Sequence, residues 1–173
     1  MNIYELIKKR KSVRNYKSKV VEKEKLERIL NTALLAPSAK NKQEWRFVVV
    51  SDKEKREKLS VAAKNQNSLS EAPIVIACCA ETDNYEMTCG QKSYPIDLSI
   101  IIDHITLLAV EEGLGTCWIG AFHENEAKKI LDIPNNVRIV ELLTLGYPSD
   151  DSIKEKNRLS FDEVIKYEKW NNN

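Results

Sequence analysis

The residues best suited to chemistry fall into three separated clusters. Lys8-Lys9-Arg10-Lys11-Ser12-Val13-Arg14-Asn15-Tyr16 packs five cations around one hydroxyl. Guanidinium forks give bidentate hydrogen bonds to phosphate, and a serine hydroxyl adds a neutral donor. The same composition also describes a solvated charged face, and the run alone leaves both readings open. Pro37-Ser38-Ala39-Lys40-Asn41-Lys42-Gln43 places two side-chain amides and a hydroxyl between a helix stop and a strand, where a scaffold can hold them toward a ligand. Thr116-Cys117-Trp118-Ile119 reads as a strand closed by Gly120, where a bound molecule can approach the backbone. Further cations, Lys154, Lys156 and Arg158, follow in the tail.

The elements that must position these clusters are organised around 96–122. Ile96, Leu98, Ile100, Ile101, Ile102, Ile105, Leu107, Leu108, Ala109 and Val110 leave almost no polar stripe, so the helix should be covered on most sides. Asp97, Asp103 and His104 argue against a membrane span. An ordinary core helix and a helix shared with a second copy of the chain both fit. Glu111 and Glu112 return the chain to water, and Gly113 and Gly115 are read as positions of positive φ at the helix stop.

Before it, Asn2 to Lys9 has helical spacing with Asn2 as cap, and Glu22 to Ala36 is an amphipathic helix stopped by Pro37. Trp45 to Val50 and Ile74 to Ala80 read as strands, Lys53 to Ala63 as a surface helix, and Asn65 to Ser70 as a polar loop. Glu81 to Tyr94 reads as irregular and is a candidate lid. After it, Glu124 to Leu131 is a short helix and Val137 to Leu145 a strand, with a short final element near Val164 and Ile165.

The 173 residues suit a single domain spanning 1–173. A net charge of +1 supplies no bulk attraction to nucleic acid or to a membrane surface, so neither is expected as a partner. Cys78, Cys79, Cys89 and Cys117 lack zinc-type spacing and read as buried small hydrophobes of a cytoplasmic protein. His104 reads as a hydrogen-bonded core or interface residue. His123 lies near the strand of Trp118 and is given no catalytic place.

Taken in order, Arg10-Lys11-Ser12-Val13-Arg14, Ala36-Pro37-Ser38-Ala39-Lys40-Asn41-Lys42-Gln43-Glu44-Trp45, Gly113 to Phe122, Leu145-Gly146-Tyr147-Pro148 and Arg158 resemble the FMN-dependent nitroreductase family over nearly the whole chain. The resemblance implies an α+β fold with a mixed, mostly antiparallel sheet flanked by helices, and an intertwined homodimer with FMN at the subunit interface. Carried over by position, Arg10 and Ser12 hold the FMN phosphate, Lys11 adds backbone or charge, and Arg14 touches the phosphate or the pyrimidine edge. Pro37, Ser38, Ala39, Asn41 and Gln43 come from the second subunit. Trp118, Ile119 and Gly120 line the ring, and Arg158, with Lys156, returns to the phosphate. Asn65 and Asn67 are candidate contacts only, because 61–73 does not match the longer members.

The resemblance also implies NADPH or NADH as reductant, small flat acceptors such as nitroaromatics or quinones, and ping-pong turnover. No acid/base dyad is required, since the cofactor carries the redox step. A flavin-binding sensor or flavin-modifying protein without general turnover is the alternative. An anion- or nucleic-acid-binding module is a remote third.

Overall fold

The computed structural model describes residues 1–152 and 155–170. Four strands, β1 (Trp45–Val50), β2 (Ile74–Glu81), β3 (Gly115–Ile119) and β4 (Val137–Gly146), hydrogen-bond in the order β1-β2-β4-β3. All three pairings are antiparallel. The resemblance implies a mixed sheet; among the described residues the parallel component is one isolated bridge, Ser12 to Thr116, at the β3 edge.

β2 is buried from Ile74 to Ala80 because it lies between two strands and under helices on both faces. On one face α5 (Ser93–Glu111) packs with α2 (Lys23–Ala33), burying Ile29, Ala33, Leu98, Ile101, Ile102 and Ile105 against Ile76, Leu143 and Leu145. On the other, Leu59 of α3 (Lys53–Ala62), Leu69 of α4 (Asn67–Glu71) and Ala127 and Leu131 of α6 (Glu124–Leu131) pack on Val75, Ala77, Ile119 and Leu142. α1 (Ile3–Lys9) rests against α5, and α7 (Phe161–Val164) lies in the exposed tail.

Several expectations change. Asn65 to Ser70 is not simply a loop: α4 forms there because Leu69 is fully buried and Arg56 donates to the carbonyls of Ser70 and Ala72 at its C-terminal end. The second helix stops at Ala33, four residues before Pro37. α5 starts at Ser93, with Pro95 inside its first turn, where a missing N–H costs nothing. The Glu81 to Tyr94 stretch gives its first residue to β2 and its last two, Ser93 and Tyr94, to α5. Between them it is bonded to itself through Met87 N–H to Gln91 O and a Glu86–Lys92 bridge.

Gly113 has the expected positive φ of 76°, but Gly115 does not; it is needed for a close approach described below. Cys78, Cys79 and Cys117 are buried as expected, and Cys89 is exposed. One chain also fails to cover α5 completely. Ile96 is 43% exposed, and it forms a shallow groove with Pro95, Ser99, Ile100, Asp103 and His104.

Candidate functional site

α1 begins at a capping box between Asn2 and Glu5 and ends at Arg10, whose N–H donates to Leu6 O. The chain then runs extended along β3, with Val13 N–H donating to Thr116 O at 2.8 Å. Tyr16 fastens its far end: the phenol donates to Val13 O at 2.7 Å and pairs with Thr144 Oγ1 at 2.6 Å. Burial pushes that phenol well above its ordinary range. Val13 is buried, so Ser12 and Arg14, its neighbours on an extended chain, point outward. Two glycines allow the approach. A Cβ on Gly115 would lie 2.4 Å from Val13 Cγ2, and one on Gly146 would lie 2.9 Å from Tyr16 Cδ1 and 2.5 Å from Pro73 Cδ.

Arg10, Lys11 and Ser12 share a cleft of about 310 Å³ with Lys156 and Arg158. Arg10, Lys156 and Arg158 have no ion-pair partner among the described residues. Burial, then the neighbouring Arg10 and Arg158 charges, hold the Lys156 ammonium below its ordinary range. Glu155 also lines the cleft but forms no ion pair with these three, and Lys156 donates to Ile7 O; the cations outnumber the carboxylate, which fits a phosphate group. Lys11 is already committed, donating to Asp150 O and Ser152 O at 2.7 and 2.6 Å, so it offers charge and backbone rather than a free ammonium. Arg14 lies in an adjoining hollow with Asn15, Ser149 and Asp150. Lys154 lies outside the described residues.

Ser38 to Gln43 is held in a demanding conformation. Lys40, Asn41 and Gln43 have φ of 51°, 54° and 49°, a left-handed region that non-glycine residues enter at a cost. Ser38 Oγ accepts Gln43 N–H at 3.0 Å, and the Gln43 amide donates to Asn41 Oδ1 at 3.0 Å. Asp97 accepts Ala39 N–H, and burial raises its carboxyl above the usual range against the pull of that bond. Glu44, also buried, accepts from Asp83 N–H and Ser93 Oγ. Pro37, Asn41 and Gln43 are exposed, and Ser38 and Ala39 half-buried.

This loop precedes β1, whereas the cation cleft borders β3. These are opposite edges of the sheet, three strand spacings or about 14 Å apart. One chain therefore does not gather all the predicted site residues.

At the far end of β3, Trp118 presents an exposed ring and Gly120 an exposed backbone. Strand alternation turns the Ile119 side chain into the core, where it is 5% exposed, so only its backbone is left to the surface that Trp118 lines. Burial pushes the nearby Glu141 carboxyl up to about 7, against the opposing pull of the Ile119 backbone N–H. Glu141 Oε1 is buried without a hydrogen-bond partner among the described residues. The sequence reading missed Glu141, although a carboxylate amid Val140, Leu142 and Leu143 is a legible signal. It also used Asp97 only to exclude a membrane span. From the Ser12–Thr116 bridge to Gly120 is four residues of strand, about 13–14 Å, a span that suits an elongated ligand with an anionic end and a flat end.

A family model described as the nitroreductase family matches residues 7–94, and a second nitroreductase model matches 53–173. The chain belongs to the nitroreductase family. A nitroreductase family protein from Clostridium difficile 630 superposes with a TM-score of 0.88 at 35% identity, over 98% of this chain and 100% of the other. An FMN-dependent nitroreductase from Clostridium difficile R20291 gives 0.78 at 32% identity, over 99% of each chain. The FMN reductase [NAD(P)H] of Bacillus subtilis is 31% identical over 94% of this chain and 72% of its own. This nitroreductase therefore has the family's α+β fold, an antiparallel sheet flanked by helices, and is an oxidoreductase of that type. FMN binding is what the family fold implies, and the excess of cations in the cleft is consistent with it.

Proposed function

We propose that this protein is a cytoplasmic FMN-dependent oxidoreductase that uses NADPH or NADH to reduce nitroaromatics, quinones or similar small flat acceptors. The observation that carries this reading is the cleft in which Arg10, Lys156 and Arg158 converge without carboxylate partners. Arg10, Ser12 and Arg158 would hold the FMN phosphate, with Lys156 and Lys11 adding charge. Arg14 would reach the pyrimidine edge or the phosphate, Trp118 would pack against the ring, and the Gly120 backbone would face its reactive edge.

FMN, when bound, accepts electrons from the reductant and passes them to the acceptor. The chain's own part is to bind, orient and tune the field at that group. Both substrates would use the one space over the ring in turn, which is the basis of a ping-pong mechanism.

The site is proposed to form between two copies. The loop of Pro37, Ser38, Ala39, Asn41 and Gln43 lies at the sheet edge opposite the cleft, and α5 keeps an uncovered strip at Ile96. A homodimer would bring the loop of a second copy to the ring.

Purified protein should be yellow, release FMN on heating, bleach anaerobically with NADPH or NADH, and recolour with a quinone. Double-reciprocal plots should be parallel. Recovery of FAD, failure to bind added FMN, or intersecting lines would each contradict the corresponding part. For the shared site, Arg10→Ala and Asn41→Asp chains, inactive separately, should regain up to about a quarter of wild-type activity when reassociated, because roughly half the dimers are mixed and each has one intact site. No recovery despite mixed dimers in the mass spectrum would refute the interface placement.

A further inference from the structure

We propose that Glu141 is the proton-linked residue of this site, taking up a proton from solvent when the bound flavin is reduced and releasing it when the flavin is reoxidised. This rests on the FMN reading above. Glu141 lies on β4, just past a register shift: Cys78 pairs with Glu141 but Cys79 with Ile139, so Val140 is the extra residue of a bulge. Bulges re-aim side chains. Here the carboxyl oxygens come to 3.6 and 3.7 Å from the position a Cβ on Gly120 would occupy. Since Gly120 has no side chain, only backbone separates the carboxyl from whatever covers the end of β3.

The surroundings favour the protonated form. The Ile119 backbone N–H exerts only a weaker opposing pull, and Oε1 is buried with no partner among the described residues. The titratable groups that act with Glu141 across the sheet are Cys78 of β2 and Cys117 of β3, and burial holds both thiols neutral. Arg14 acts on Cys117 rather than on Glu141, and Arg138 of the same strand is engaged by Glu124. No charge of α5 or α6 is among the causes of its shift. A carboxyl poised near neutrality without a countercharge responds to any new charge within a few ångströms.

A reduced flavin brings negative charge to the Gly120 end, which raises the proton affinity of the carboxyl beneath it. Conversely, an ionised Glu141 opposes reduction. The balance closes with the reactants already named. NAD(P)H supplies two electrons and one proton, whereas conversion of a quinone to its hydroquinone takes two electrons and two protons. The second proton comes from solvent, and Glu141 holds it between the two half-reactions.

The test uses the FMN-loaded full-length protein and Glu141→Gln, which keeps an oxygen for Ile119 N–H. Anaerobic reduction of wild type near pH 7.5, followed with a pH indicator, should take up more protons per flavin than the variant, by a substantial fraction of one. Around neutrality the wild-type midpoint potential should fall more steeply with pH than the variant's. One proton per two electrons is a tenfold change in equilibrium constant per pH unit, or about 30 mV. Equal proton uptake and equal slopes in two flavin-loaded proteins would overturn the proposal and leave the FMN reading standing. Failure of wild type to bind FMN would overturn both. Should the variant not fold, carboxyl NMR of wild type decides: a glutamate titrating near neutrality, and moving upward on reduction, is expected, and its absence would overturn the proposal.

Discussion

Asp97 accepts the backbone N–H of Ala39 through both carboxylate oxygens, at 3.1 and 3.2 Å, and so ties the loop before β1 to the first turns of α5. The bond is charge-assisted and buried, the kind whose removal costs about 1.5–3 kcal/mol. It anchors a loop whose neighbouring residues are in the left-handed region, so losing it releases the whole turn. Asp97→Ala should weaken FMN binding about tenfold or more, and Asp97→Asn by less. Fluorescence titration of the apoprotein would measure both, and unchanged affinity would separate the loop from the flavin.

The Gly115–Val13 approach predicts a coupled pair. Gly115→Ala forces its new methyl into Val13 and should destabilise by about 1–3 kcal/mol, as overpacking does. Adding Val13→Ala removes the nearest atoms, so the double variant should be more stable than the sum of the single losses. Urea unfolding of the four proteins tests this, with strict additivity as the contrary result.

The cation cleft predicts selective loss. Arg10→Ala and Arg158→Ala should each raise the Kd for FMN by roughly 10- to 100-fold, the range for one charge-assisted hydrogen bond, while riboflavin, which lacks the phosphate, binds as before. Parallel titrations with the two flavins check this. Equal losses for both would place these arginines elsewhere on the ligand.

Glu141 predicts a pH-dependent difference in stability without any flavin. Its carboxyl rises from an ordinary 4.5 to about 7 in the folded protein, so between those values the folded state keeps a proton that the unfolded chain has released. Stability from this group is therefore lost as pH rises through that window and levels off above it. Glu141→Gln should match wild type near pH 5 and exceed it near pH 8 by about 1–2 kcal/mol, a figure reduced for partial exposure. Thermal melts at the two pH values test it, and an equal offset at both would show that ionisation is not involved.

Much of this architecture was legible where side-chain type and position agree. Trp45 to Val50 is a run of aromatic and β-branched residues bounded by polar loops, and the strand has those bounds. α6 likewise spans the expected Glu124 to Leu131. α4 was not legible because its residues are mostly polar, and its burial rests on Leu69 and a distant arginine. At the site, the phosphate-type residues declare themselves by composition, and the structure brings Arg10, Lys11, Ser12, Lys156 and Arg158 to one cleft. Ile119 is carried over from the family resemblance together with Trp118; strand alternation turns its side chain into the core, which leaves its backbone on that surface. Glu141 is legible as a carboxylate in an apolar run, but its aim toward Gly120 is not, because that depends on a bulge, and a bulge depends on pairing that no single strand reveals.

α5 carries a consequence for how this protein is made. Among the described residues it is the one helix long and apolar enough to cross a membrane, and half of its most apolar window is buried in the folded chain. Part of what covers it is synthesised later: β3 and β4 follow α5 in the sequence, whereas α1, α2, β1 and β2 precede it. At about 5–20 residues per second, translating 112–146 takes roughly 2–7 s. During that interval a nascent chain holds this apolar helix without the cover that β3 and β4 supply. Asp97 and Asp103, which lie among its apolar residues, make the segment a poorer membrane span than its length suggests. Uncharged replacements at those two positions should increase ribosome-associated chaperone capture and membrane mistargeting, independently of any effect on the finished enzyme.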